Sequence, residues 1–90
     1  MRREPDFFGD RELILIHIAK RLREALKIEK LLTEGGVDYL VEPDRYAGGI
    51  IFRTERVGAF FYVAEEAEQA ARGLLSAHGY RPHQPLAGSR

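Results

Sequence analysis

Two stretches of this chain, 43 residues apart, end in the same way, and that repeat constrains the fold more than any other feature. Leu31-Leu32-Thr33, two residues, then Gly36-Val37 corresponds to Leu74-Leu75-Ser76, two residues, then Gly79-Tyr80. At the same offset Ile28 meets Ala71, and Ile14 to Ile18 lie over Val57 to Phe61. Two consecutive β-α-β units in about 80 residues, joined by a hairpin-like connection, are the split βαβ or ferredoxin-like arrangement. The expected fold is therefore α+β, with two helices on one face of a mainly antiparallel sheet of four or five strands.

The local patterns fill in this frame. Leu13-Ile14-Leu15-Ile16-His17-Ile18 is short and rich in β-branched residues, and it reads as a strand. Strict alternation puts Ile14, Ile16 and Ile18 on one face, with Leu13, Leu15 and His17 on the other. Arg21 to Glu34 reads as a helix, with Leu22, Ala25, Leu26, Ile28 and Leu32 on one face and Gly35-Gly36 as its stop. Val37 to Val41 alternates as a second strand that should end near Pro43, leaving Asp44 to Gly49 as a loop. Ile50 to Thr54 and Ala59 to Val63 read as two further strands, with a tight turn at Glu55-Arg56-Val57-Gly58. The other reading of this region is one long bulged strand. Glu65 to His78 is the second helix, with Ala67, Ala70, Ala71, Leu74 and Leu75 as its buried stripe. Tyr80 to His83 would add a short edge strand around Pro82.

Ninety residues hold one domain. Residues 1–11 read as a polar arm pinned by Phe7-Phe8, residues 12–84 as the domain, and residues 85–90 as a frayed tail. Fourteen basic residues against fourteen acidic ones give no net charge, which argues against nucleic acid or an anionic membrane as a general partner. The longest apolar run, Leu13 to Ile16, is far shorter than a membrane span, which needs roughly 20 residues. Met1-Arg2-Arg3 leads into Glu4, Pro5 and Asp6 rather than an apolar stretch, so no secretory signal is expected, and the default location is the cytoplasm. With no cysteine there is no thiolate nucleophile and no cysteine metal site.

The segments Ala25 to Val41 and Phe60 to Leu75 resemble a group of small bacterial signal-transducing domains related in shape to the PII nitrogen regulators. In both, a strand leads into a helix that ends in a Leu-Leu…Gly stretch before a second strand. A later strand ending in Val runs straight into an acidic, alanine-rich helix. The resemblance spans most of residues 12–80 and implies a fold of that shape with a regulatory role. PII-like proteins bind nucleotides through loop residues and form trimers. No loop here matches their phosphate-binding pattern, so neither property transfers to particular residues.

Few residues carry a chemical signal. His17, His78 and His83 lack the spacing of a metal site, and no acidic residue completes one, so no metal is expected. No dinucleotide or P-loop fingerprint is present, and no cofactor is expected. Serine is limited to Ser76 and Ser89, which leaves no convincing nucleophile, and no catalytic residue is assigned. The oddity is Lys20-Arg21-x-Arg23, where three cations oppose the dipole of the helix they introduce and would attract an anion. Gly48-Gly49, with Arg45, Arg53 and Arg56 nearby in sequence, is a second candidate for phosphate contacts.

Three classes of function fit. The favoured one is a small oligomeric regulatory or interaction module of PII-like shape that takes an anionic small molecule. The alternatives are a structural assembly domain and a small dimeric ferredoxin-like enzyme. In the enzyme, His17, Tyr39 or Tyr62 would project into a cavity beside the sheet. A homo-oligomer is expected throughout, a dimer ahead of a trimer, because the strands are apolar on both faces. Leu13, Leu15, His17, Phe60 and Tyr62 are the expected interface.

Overall fold

The computed structural model describes residues 1–48 and 54–83. The elements run α1 (Pro5–Phe8), β1 (Leu13–Ala19), α2 (Leu22–Glu34), β2 (Leu40–Gly48), β3 (Thr54–Ala64) and α3 (Glu68–Ala77), with a 3-10 turn at Glu65–Ala67 leading into α3. The strands form one antiparallel sheet in the order β1-β3-β2. β1 and β2 are joined through α2 and run parallel to each other, with β3 inserted between them. Both helices pack on one face. Ala25, Ile28 and Leu32 of α2 share a core with Ala71 and Leu75 of α3, Ile16 of β1, and Phe61 and Val63 of β3. Each large apolar side chain in that core contributes about 1.5–3 kcal/mol.

The two helices end with the same pair of capping hydrogen bonds. Gly36 has φ +77° and Gly79 has φ +86°, the left-handed region that glycine enters without a Cβ clash. Gly36 N–H donates to Thr33 O at 3.1 Å and Val37 N–H to Leu32 O at 2.9 Å. Gly79 N–H donates to Ser76 O at 3.1 Å and Tyr80 N–H to Leu75 O at 2.9 Å. Both are Schellman caps, in which two otherwise orphaned carbonyls are satisfied by the residues that leave the helix. The repeat seen in the sequence is thus a repeat of helix ends.

Several expectations are corrected. Glu55 to Gly58 is not a turn. These residues lie inside β3, opposite Asp44 to Ala47, and long-range pairing overrides their local turn character. β2 does not stop at Pro43, which sits opposite Ala59. Among the described strands β2 lies at the edge of the sheet, where a missing N–H can be tolerated. The expected loop from Asp44 is accordingly strand as far as Gly48. Of the expected strand Ile50 to Thr54, residues 50–53 lie outside the described residues, as does the tail from residue 85. The described residues contain three strands, not four or five. Residues 80–83 are not a strand, although His83 N–H donates to Ile16 O beside β1.

A bulge in β1 corrects the facing of two residues. Leu15 pairs with Tyr62 and His17 with Phe61, so Ile16 is an extra residue without a partner. An extra residue reverses the alternation beyond it. Ile14, Ile16 and His17 all face the helices, while Ile18, opposite Phe60, turns to the other side. Leu22 and Leu26, expected in the helix core, are 75% and 57% exposed. Ala70 is exposed as well.

The N-terminal residues are fixed to the body. Arg3 N–H donates to Tyr39 O at 2.8 Å, and Tyr39 N–H donates to Met1 O at 3.1 Å. The Arg3 guanidinium reaches Asp38 Oδ1 at 2.9 Å. Phe8 is buried with Leu40 and Ala64 against Leu13 and Tyr62, and covers part of the sheet face that the helices leave open. Phe7 is 43% exposed and carries the Arg3 guanidinium over its ring at 4.4 Å.

Candidate functional site: a basic cleft at the start of α2

β1 ends at Ala19, and Lys20 and Arg21 carry the chain into α2. Arg21 is the N-cap, in extended conformation at φ −136° and ψ 148°, and its side chain makes no capping hydrogen bond. The first helical bond is Ala25 N–H to Arg21 O at 3.0 Å. Serine, threonine, aspartate or asparagine usually fills this position, because their side-chain oxygens accept from the first-turn amides. A guanidinium has no acceptor to offer. Positive charge therefore accumulates here from the helix dipole, Lys20 and Arg21 together.

This corner opens into a cleft of about 320 Å³ between α2 and the sheet. Arg2, Lys20 and Arg21 stand on its wall, while Ala25, Val41, Pro43, Val57 and Ala59 give it an apolar floor. Glu29 is the one acidic residue among the described residues of the lining. Its Oε1 is 3.4 Å from the Tyr39 hydroxyl, which also lies 3.3 Å from Thr33 Oγ1 and from Glu29 O. Burial of Tyr39 pushes its pKa up, and the Glu29 charge adds to that shift. The volume lies at the lower end of the range for small-molecule sites, about 300–1,000 Å³, which are likewise mostly apolar with a few convergent polar groups.

The basic candidates do not form one site. Lys20 and Arg21 line the cleft, but Arg23 projects on the outer side of α2, in a patch with Leu22, Leu26, Lys27 and Lys30. Arg45 lies opposite Val57 across the β2–β3 ladder, outside the cleft lining. Gly48 ends β2 and Arg56 lies within β3, whereas Gly49 and Arg53 are outside the described residues. Sequence reasoning missed Arg2 and Val57. Arg2 is delivered by its bridge to Tyr39, which no local pattern announces. Val57 was legible in principle, since it continues the period-2 row of Ala59, Phe61 and Val63 once β3 is read as unbroken.

The three residues considered for an enzyme cavity do not converge. His17 is buried under the helices, where its Nε2 meets Glu24 Oε2 at 2.8 Å and its ring lies edge-on to Tyr80 at 5.8 Å. Its Nδ1 is buried with no hydrogen-bond partner among the described residues. Tyr39 is buried in the same core, but Tyr62 stands on the opposite sheet face with Leu13 and Leu15. Burial raises the Tyr62 pKa, and Glu42 and Asp44 raise it further. The expected interface set is therefore split, with Leu13, Leu15, Phe60 and Tyr62 on the face away from the helices and His17 on the other. His78 closes α3, its Nδ1 3.0 Å from Leu74 O.

No family model, no curated protein and no solved structure matches this chain. No helix among the described residues is long and apolar enough to cross a membrane.

Proposed function

We propose that this chain is a small cytoplasmic regulatory or interaction module of ferredoxin-like, PII-like shape. On this reading it binds an anionic small molecule with an apolar portion and associates with copies of itself. The observation that carries the ligand reading is the cleft, where Lys20 and Arg21 at an uncapped helix start face an apolar floor of Val41, Pro43, Val57 and Ala59. An inorganic anion would contact the cations and leave that floor wet. A molecule with a carboxylate or phosphate head and a short hydrocarbon or aromatic body uses both. The strand order β1-β3-β2 and the seating of His83 beside β1 support the ferredoxin-like reading, with residues 80–83 where a fourth strand would run.

Titration calorimetry with octyl phosphate and with inorganic phosphate tests the ligand class. Each buried methylene adds about 0.8 kcal/mol, so burying only two or three should make octyl phosphate tighter than inorganic phosphate by about tenfold or more. Substituting Lys20 and Arg21 together by Gln should remove saturable binding of both. Equal affinity for the two ligands would reject the apolar floor as part of the site. Unchanged binding by the double variant would reject the cleft.

A further inference from the structure

The charges of α2 are spread unevenly around its axis. At about 100° per residue, Leu22, Arg23, Leu26, Lys27 and Lys30 fall on the side turned away from the core residues Ala25, Ile28 and Leu32. These five line one shallow patch, in which Leu22 and Leu26 are 75% and 57% exposed. The acids of α2 lie off it: Glu24 is held by His17, Glu29 turns toward Tyr39, and Glu34 ends the helix one turn beyond Lys30. α3 packs beside α2, and its exposed residues, Gln69, Ala70, Gly73, Ser76 and Ala77, bring no charge to this side. Leu22 lines the cleft as well, so the patch continues around the helix start to Arg21 and to Val57, which is 65% exposed.

We propose that the outer face of α2 docks this protein on an anionic lipid surface, with the helix lying in the plane of the headgroups. This goes beyond the cleft and does not depend on a ligand there. Leu22 and Leu26, one turn apart, enter below the headgroups. Arg23, Lys27 and Lys30 lay their aliphatic stems along the apolar layer and turn their charges back to the lipid phosphates. A chain with no net charge has no general attraction to such a membrane. The surface potential of a bilayer, however, acts within a Debye length of about 8–10 Å, so what counts is the sign of the face that approaches. The size of the patch favours lipid over protein. A stable protein interface takes about 20–30 residues a side, whereas a fluid headgroup layer moulds itself around five side chains.

Co-sedimentation of the full chain with vesicles of mixed phosphatidylserine and phosphatidylcholine, and of phosphatidylcholine alone, tests this. The wild type should bind the mixed vesicles and leave the neutral ones largely unbound. Each basic residue near an anionic surface contributes about fivefold, so Arg23→Gln/Lys27→Gln/Lys30→Gln should weaken binding by about a hundredfold. Leu22→Ser/Leu26→Ser, at two exposed positions and checked for folding by circular dichroism, should weaken it by about tenfold or more. The chain has no tryptophan, so Leu26→Trp places a single reporter on the face, and its emission should shift to the blue on the mixed vesicles. A serine variant that binds as tightly as the wild type, or an unshifted tryptophan, would overturn the docking of this face. Equal binding to both vesicles would overturn the role of the cations. A wild type that stays in solution with both vesicles yet binds octyl phosphate would overturn the membrane surface and leave the cleft standing. If that protein binds polyglutamate instead, the face belongs to an acidic protein partner.

Discussion

His17 on β1 and Glu24 in the first turn of α2 meet through one 2.8 Å hydrogen bond that ties the start of the helix to the sheet beneath it. A carboxylate can only accept, so Nε2–H donates and the buried Nδ1 is left without a partner. Glu24→Ala would leave both ring nitrogens unsatisfied and should cost about 1–3 kcal/mol in urea unfolding. His17→Leu removes the orphan together with the bond, leaves a half-buried Glu24 that water can reach, and should cost less. The reverse order would mean that the ring is held by something other than Glu24.

Burial separates two leucines of α2. Leu32 is fully buried in the helix–sheet core, whereas Leu26 is 57% exposed. Leu32→Ala should cost about 2–5 kcal/mol, and Leu26→Ala less than about 0.5 kcal/mol. Comparable losses in chemical denaturation would contradict the assigned helix face.

Glycine substitutions should divide by backbone conformation. At Gly36 and Gly79, alanine must adopt a left-handed conformation and should cost about 1–2 kcal/mol at each site. Gly73 lies inside α3 with open space where a Cβ would go. Gly73→Ala should instead stabilise the protein by about 0.5–1 kcal/mol. Thermal unfolding of the three variants checks the contrast.

Alkaline pH should weaken the fold through two phenols. Tyr39 is held above its ordinary pKa of 10.0 chiefly by burial, with Glu29 nearby. Tyr62 is raised chiefly by burial, with Glu42 and Asp44 adding to it. A phenol whose folded pKa exceeds its unfolded value contributes stability that is fully present below pH 10 and is lost as pH rises through the folded value. Tyrosinate absorbance should therefore develop later in the native protein than in urea. Tyr39→Phe and Tyr62→Phe should each flatten the alkaline fall in stability. A native titration coinciding with the unfolded one would contradict the raised pKa of both phenols.

The fold was legible in sequence where local chemistry decides structure. Leu32, Gly36 and Val37, matched by Leu75, Gly79 and Tyr80, announced the two helix ends because a Schellman cap is built from neighbours. It was less legible where distant pairing decides. Val57 and Gly58 look like a turn until Asp44 and Arg45 supply a strand beside them, and Pro43 looks like a stop until β2 is known to be an edge. The bulge at Ile16 leaves no mark in the apolar run, yet it moves His17 to the helix side and Ile18 away from it. In the cleft, Lys20 and Arg21 stood out as cations at a helix start. Arg2 reached the same wall only through the Arg2–Tyr39 bridge.

An amide-resolved NMR titration of the protein with octyl phosphate is the most direct test of the central claim, that the cleft at the start of α2 is a ligand site. The account predicts saturable shifts at Lys20, Arg21, Leu22 and Ala25 together with Val57, Gly58 and Ala59, residues that meet only around this cleft. Shifts that fail to saturate, or that fall on another surface while these seven amides stay in place, would contradict it.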